Sequence, residues 1–339
     1  MVLPTTMRAA VLTAPRRIEL QERPVTEPDD DQVVVEVTAV GVCGSDVHFW
    51  HEGALGDWVV DAPLVLGHES GGRIVAVGRE VPAGRVGERV SIEPQRPERW
   101  SAQTLRGRYN LDPGMRFFAT PGVDGAFAQY VVIQSHFAWR VPDGVSDEAA
   151  ALLEPLSVAV AAVQKAGVPV GGRVLVAGAG PIGVAVAQVA RVFGAREVLV
   201  SDVDAARREQ ALAFGATRAL APAEVRPELA VDAFVDASGA APAVDAGVRA
   251  VAPGGRVVLV GMGAPEMPVP VSVVQNRELI VTGVFRYANT WPTAIDLVAS
   301  GAIDLDRMVT GHYPLADTEA ALASTRQPGV LKSVVHPDR

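Results

Sequence analysis

Residues 173–183 read RVLVAGAGPIG. Arg173–Ala177 is an apolar, strand-like run, and Gly178, Gly180 and Gly183 follow it at once. Behind them Ile182–Phe193 carries apolar residues at helical spacing. A GxGxxG between a strand and a helix reads as a pyrophosphate loop. The first glycine allows the tight turn, the second lets backbone approach the phosphates, and the third seats the helix against the strand. Pro181 and Ile182 complete the loop, where the helix N-terminus offers free N–H groups and the positive end of its dipole. Asp202 closes the next strand, Glu197–Ser201, nineteen residues after Gly183. A carboxylate there can accept hydrogen bonds from both hydroxyls of an adenosine ribose and repels a 2′-phosphate, which favours NAD over NADP. Arg207 and Arg208 follow closely and weigh the other way. An ordinary Gly-rich turn, with Asp202 or Asp204 capping a helix, is the alternative; motif, context and spacing together favour the nucleotide.

Outward from this loop the same alternation continues. Ala205–Phe214 reads as a helix, Asp232–Asp236 as a strand, Ala241–Val251 as a helix and Gly255–Gly261 as a strand. Such alternation implies parallel βαβ units. The first 150 residues differ. Val33–Val37, Ile74–Val77, Arg89–Ile92 and Tyr130–Ile133 are short strand-like runs separated by Gly, Pro and Asp, the pattern of a small barrel-like β domain. The texture changes near Leu152, a helical pattern covers Ser157–Lys165, and another helix is expected at Trp291–Ser300. With 339 residues, two domains are the expectation.

Composition narrows the partners. Hydrophobic residues make up 49% and charged residues 20%, a globular balance, and the formal net charge of −9 gives no general attraction to nucleic acid or anionic membrane. One cysteine excludes an intrachain disulfide and any four-cysteine metal site. Met1–Ala10 lacks the apolar run of a signal peptide. The longest uncharged stretch, between Arg173 and Arg191, is 17 residues and broken by glycines and a proline. A soluble, cytoplasmic protein is expected.

The β-rich half holds Cys43-Gly44-Ser45-Asp46-Val47-His48 and Gly67-His68-Glu69, while Glu154-Pro155 lies where the two textures meet. Thiolate, imidazole and carboxylate are the ligand types of a catalytic zinc that keeps one position open. Singly, each has an ordinary reading: a buried cysteine, a hydrogen-bonded histidine, a helix-capping glutamate. Spacing alone leaves both readings open.

Taken in order, these motifs resemble the zinc-dependent medium-chain dehydrogenase/reductase superfamily, and within it the polyol branch of sorbitol and xylitol dehydrogenases. Ala119-Thr120-Pro121, Leu153–Val158, Gly283–Tyr287 and Asn289-Thr290-Trp291-Pro292 extend the likeness over essentially the whole chain. The resemblance implies an α/β protein: a GroES-like catalytic domain over 1–154, completed by 288–339, and a Rossmann domain with a doubly wound parallel sheet over 155–287. It implies an active site in the cleft between them. Cys43, His68 and Glu69 would hold one zinc per subunit, with Glu154 ligating directly or through water. Ser45 and His48 would pass the alcohol proton outward; their alternative is that Ser45 and Asp46 merely begin a helix. Phe118, Arg286 and Tyr287 resemble substrate-pocket or cofactor-contacting positions, and Phe285 with Val260-Gly261-Met262 resembles contacts to the nicotinamide.

The sequence departs from the family twice. Where relatives hold a second, structural zinc with four cysteines, this chain has Glu98, Ser101, Thr104 and Asp112, so no structural zinc is expected. Ion pairs from Arg96, Arg99, Arg106 and Arg108, or packing by Trp100 and Tyr109, are the candidate replacements. Phe49 stands where sorbitol dehydrogenase-like chains often carry tyrosine, which removes a hydroxyl from the expected substrate pocket. The implied reaction oxidises a secondary alcohol of a polyol to the ketose by hydride transfer to NAD. Butanediol, threonine or idonate oxidation, a zinc-free quinone or enone reductase and a non-catalytic nucleotide-binding protein are the rivals. Glu278–Phe285 reads as an apolar edge-like strand, suited to a homodimer or homotetramer.

Overall fold

The structure is a computed structural model that describes residues 3–338, so the first two residues of the N-terminal reading lie outside it. Contacts divide the chain into two units. One ends at Glu154 and resumes at Ile295; the other runs Pro155–Ala294. The resumption falls inside the helix Trp291–Ala299, later than the 288 expected from sequence.

The first unit is built on a seven-stranded sheet. Its order is Ala138–Arg140, Arg89–Ile92, Glu69–Val77, Gln32–Gly41, Lys332–His336 and Val309–Pro314, with Tyr130–Gln134 also paired to Gln32–Gly41. The central strand reads VVVEVTAV and buries Val33, Val34, Val35, Val37, Ala39 and Val40 at 0–1% exposure. β-branched residues on both faces suit a strand covered on both sides. Register places Gly41 opposite Glu69. A Cβ on Gly41 would lie 2.1 Å from Glu69 Oε2, so only glycine lets the carboxylate occupy that spot.

The second unit is a six-stranded, wholly parallel sheet in the order Arg218–Leu220, Glu197–Ser201, Arg173–Ala177, Val231–Asp236, Val251–Leu259, Ile280–Gly283. Counted along the chain this is 3-2-1-4-5-6, the doubly wound arrangement. Its inner strands are near-continuous Val, Leu and Ala runs because helices cover both faces.

The helix expected at Ser157–Lys165 begins ten residues earlier, at Asp147, and carries Pro155 inside it. The change of texture near Leu152 is therefore mid-helix and not a linker. At 20 residues this helix is long and apolar enough to cross a bilayer, but 78% of its apolar window is buried within the protein. It is a core helix of the kind that fills α/β interiors.

Candidate metal and nucleotide sites

Cys43 ends the loop after the central strand and precedes the helix Gly44–Glu52, while Glu69 begins the neighbouring antiparallel strand with His68 just before it. This register brings one ligand atom from each of Cys43, His68 and Glu69 within 4.8 Å of the others. Two residues missed in the sequence hold the trio. Asp46, fully buried, accepts the Cys43 N–H at 3.0 Å and the Gly67 N–H at 2.9 Å, so one carboxylate joins both ligand loops. Lys332, on the C-terminal strand, donates to Glu69 Oε1 at 2.6 Å and to the Val42 carbonyl at 2.8 Å. Its Nζ also lies 2.5 Å from Glu69 Oε2, yet that oxygen has no aligned hydrogen bond. Contact is thus ionic there, and Oε2 keeps acceptor capacity in a dry setting.

The electrostatics favour a cation. Burial by itself lowers the basicity of His68, but Cys43 and Asp46 outweigh it and hold the imidazole well above its ordinary value. Burial likewise works against the Lys332 charge, and Glu69, Cys43 and Glu154 reverse it. A sulfur, nitrogen and oxygen donor set, half-buried at Cys43 and buried at His68 and Glu69, with one orphaned oxygen, suits a borderline-soft divalent ion such as zinc. Glu154 is buried and does not join the trio within the same 4.8 Å.

Ser45 and His48 sit three residues apart on the helix Gly44–Glu52, hence on one face. Ser45 is half-buried, and the His48 ring is 45% exposed with Nδ1 3.7 Å from Glu52. The aromatic candidates for the substrate pocket are all buried. Phe49 and Phe118 are 2% and 1% exposed and belong to the apolar core of the first unit. Tyr287 is 1% exposed and meets Trp291 edge-on at 5.0 Å. A core aromatic and a pocket aromatic have the same sequence signature, so only packing separates them. Arg286 takes a left-handed φ of 56° and places its guanidinium over the exposed Phe285 ring at 4.7 Å.

In the lobe without cysteines, hydrogen bonds join the four substituted positions, and of the two candidate replacements the packing by Tyr109 is present. Asp112 Oδ2 accepts the Glu98 N–H at 2.6 Å, and Ser101 Oγ accepts the Thr104 N–H at 3.2 Å while bonding its hydroxyl at 3.1 Å. The four positions are thereby joined two by two. Among the described residues no salt bridge links Arg96, Arg99, Arg106 or Arg108 to Glu98 or Asp112. Arg96 covers the Phe118 ring, and Trp100 is 74% exposed with Arg99 over it. Tyr109 does pack, against Phe137, and donates to Glu93 at 2.8 Å.

In the second unit Gly178 has φ 94°, and a Cβ on Gly183 would stand 1.8 Å from the Gly178 carbonyl oxygen. Both must be glycine for the turn to form. Gly180 differs: a Cβ there meets nothing within 4 Å, so the protein alone does not require glycine. Pro181 opens the helix and Ile182 follows it. A cavity of about 700 Å³ borders this loop, lined by Gly178, Gly180, Asp202, Val203, Arg207 and Ser238 among others. Asp202 accepts the Ala179 N–H at 2.7 Å and the Asp204 N–H at 2.9 Å, which holds the carboxylate at the cavity wall. Arg208 turns away onto the Asp202 and Val203 carbonyls, leaving Arg207 as the cation lining the cavity. The Val260 and Gly261 N–H groups bond the Asp236 carbonyl, and Met262 is 59% exposed beyond them. This end of the sheet is where doubly wound folds take nucleotides, and the glycine cradle fits one.

The sequence matches the alcohol dehydrogenase GroES-like domain family over residues 29–143 and the zinc-binding dehydrogenase family over 181–300. It is 36% identical to sorbitol dehydrogenase of Bacillus subtilis, covering 99% of each chain. The chain belongs to the zinc-dependent medium-chain dehydrogenase/reductase superfamily, in its polyol dehydrogenase branch. D-xylulose reductase of Saccharomyces cerevisiae is 38% identical over 95% of this chain and 94% of the relative. A crystal structure of a zinc-binding dehydrogenase from Sinorhizobium meliloti bound to NADP has a TM-score of 0.91 and 30% identity, covering 98% of this chain and all of that one. Membership in this superfamily makes the protein a zinc-dependent oxidoreductase with GroES-like and Rossmann domains that works with a nicotinamide nucleotide.

Proposed function

We propose that the protein oxidises a secondary alcohol of a polyol such as sorbitol or xylitol to the ketose, with NAD as acceptor. The convergence of Cys43, His68 and Glu69 in one trio carries this reading, together with the sorbitol and xylulose activities named for its relatives. When bound, a zinc ion would acidify the alcohol hydroxyl and NAD would accept hydride from the adjacent carbon. The chain's own residues do the rest. Asp46 fixes the two ligand loops, and Lys332 orients Glu69 while offsetting the negative charge of the donor set. Ser45 and His48, on one face of their helix, take the hydroxyl proton toward solvent, which the exposed His48 ring can reach. Glu154 serves the site through water or through its charge. Gly180 lets the backbone approach the pyrophosphate, and Asp202 receives the ribose hydroxyls.

Asp202 favours NAD, although Arg207 in the same cavity and the NADP of the Sinorhizobium structure make some use of NADP part of the proposal. The strand Ile280–Gly283 is the sheet edge and exposes Ile280 and Val281 at 50% and 39%; pairing with a second copy would cover it, giving a dimer or tetramer. We place the enzyme in the cytoplasm, where its one thiol stays reduced, and assign it neither nucleic-acid nor membrane partners. Reduction of NAD and NADP across sugar alcohols, 2,3-butanediol, threonine and idonate, with bound zinc quantified on the same sample, tests the reading. Turnover confined to butanediol, threonine or idonate would replace the polyol. Chelator-insensitive turnover, or none, would end the zinc mechanism.

A further inference from the structure

The first unit assembles a second trio that the alcohol chemistry does not use. Glu148 lies in the first turn of the helix Asp147–Ala166, His312 on the strand Val309–Pro314 and His336 at the end of Lys332–His336. The two strands run parallel with Pro314 opposite His336, and the imidazoles stack at 5.9 Å and 19°. Glu148 Oε1 stands 2.8 Å from His312 Nδ1 and 3.0 Å from His336 Nε2. One ligand atom from each residue lies within 4.8 Å of the others.

His336 decides what the cluster can hold. Its side chain is only 5% exposed, and Nδ1 sits 3.1 Å from the Thr38 carbonyl oxygen. A carbonyl only accepts, so Nδ1 carries the proton. In that tautomer Nε2 is a bare acceptor, turned at 3.0 Å toward a carboxylate that is also an acceptor. No aligned hydrogen bond reaches that nitrogen. Two lone-pair bearers 3.0 Å apart, the imidazole one buried, need a positive charge between them. An Nδ1–H anchored on a backbone carbonyl is also the arrangement that orients a metal-binding histidine.

We propose that Glu148, His312 and His336 form a second divalent transition-metal site, separate from the Cys43 trio. Two imidazoles and one carboxylate suit zinc, cobalt, nickel or copper over magnesium or calcium. Solvent fills the remaining positions on the side of His312, which is 53% exposed. Three ligands without a thiolate make this the weaker, exchangeable ion. Bound there, it ties the two C-terminal strands to the first turn of the long helix, and binding to the folded chain alone raises stability by mass action.

The test uses the zinc-loaded enzyme, dialysed and then titrated with Co²⁺. One further equivalent is expected, with visible ligand-field absorbance but no thiolate-to-cobalt charge-transfer band, and with a raised thermal midpoint. Because His336 is buried, the variants are His312→Ala and Glu148→Gln. Each weakens the extra binding by roughly tenfold or more and keeps alcohol oxidation. No further equivalent in the wild type means that the trio holds no metal, and the proposal falls. An extra equivalent that survives both variants, or one accompanied by a thiolate band, overturns it equally.

Discussion

Lys332 Nζ lies 2.6 Å from Glu69 Oε1, both residues buried and 263 positions apart in sequence. A cation from the last strand thus sits against an anion of the second, inside a cluster that already contains Cys43 and Asp46. Breaking such a pair leaves an uncompensated buried charge. Lys332→Met should cost about 3–5 kcal/mol in denaturant unfolding. It should also lower turnover more than NADH affinity, since Glu69 loses its anchor. A loss below about 1 kcal/mol would show that solvent, not Lys332, compensates the carboxylate.

The nucleotide loop permits a paired test. Gly183→Ala forces a Cβ to 1.8 Å from the Gly178 carbonyl oxygen and should destabilise the second unit. Gly180→Ala meets no protein atom within 4 Å and should leave the thermal midpoint unchanged while weakening NADH binding. Equal NADH affinity for Gly180→Ala and the wild type would move the pyrophosphate elsewhere.

Asp202 and Arg207 face one cavity with opposite charge. Asp202→Ser should lower kcat/KM for NAD about ten- to a hundredfold, the worth of charge-assisted hydrogen bonds, and narrow the preference over NADP. Arg207→Ala should instead reduce NADP use. Steady-state kinetics with both nucleotides decide; unchanged ratios in both variants would remove the pair from cofactor choice.

Cys43→Ser and His68→Ala should abolish turnover and metal retention but leave NADH fluorescence titrations intact, because ligand trio and glycine loop belong to different units. Loss of NADH binding in a folded variant contradicts that division.

Glu93 gives a pH signature. Burial raises its carboxyl from the ordinary 4.5 to about 7, with nearby Glu154 adding to the rise, although Tyr109, Trp139 and Gln95 donate to it. The folded state therefore binds an extra proton in that window. This contribution is fully present below pH 4.5 and is lost as pH rises through about 7. Glu93→Gln cannot titrate, so its unfolding midpoint should fall less than the wild type's between about pH 5 and 8. Parallel profiles would mean that Glu93 is ionised throughout.

The glycine loop could be read directly because its turn is set within six residues: Gly178 turns, and Gly183 leaves room for the Gly178 carbonyl. Cys43 and His68-Glu69 could be nominated as ligand types, but whether they meet depends on the register of Gln32–Gly41 against Glu69–Val77. Phe49, Phe118 and Tyr287 could be named as aromatics but not placed, since aromatic identity does not say which side of a wall a ring faces; the structure buries all three at 1–2% exposure. For the lobe, ion pairs and aromatic packing were both open from sequence, because nearness along an irregular chain does not fix direction.

By itself, then, the sequence determined the two textures, the pyrophosphate turn and the chemistry available for a metal, all set by residue type and short-range spacing. Only the tertiary structure decided that Asp46 and Lys332 hold the ligands, that the four cysteine-less positions join by hydrogen bonds, and that Glu148, His312 and His336 converge. Those outcomes rest on strands paired across hundreds of residues, where sheet register and burial, not local propensity, choose the neighbours.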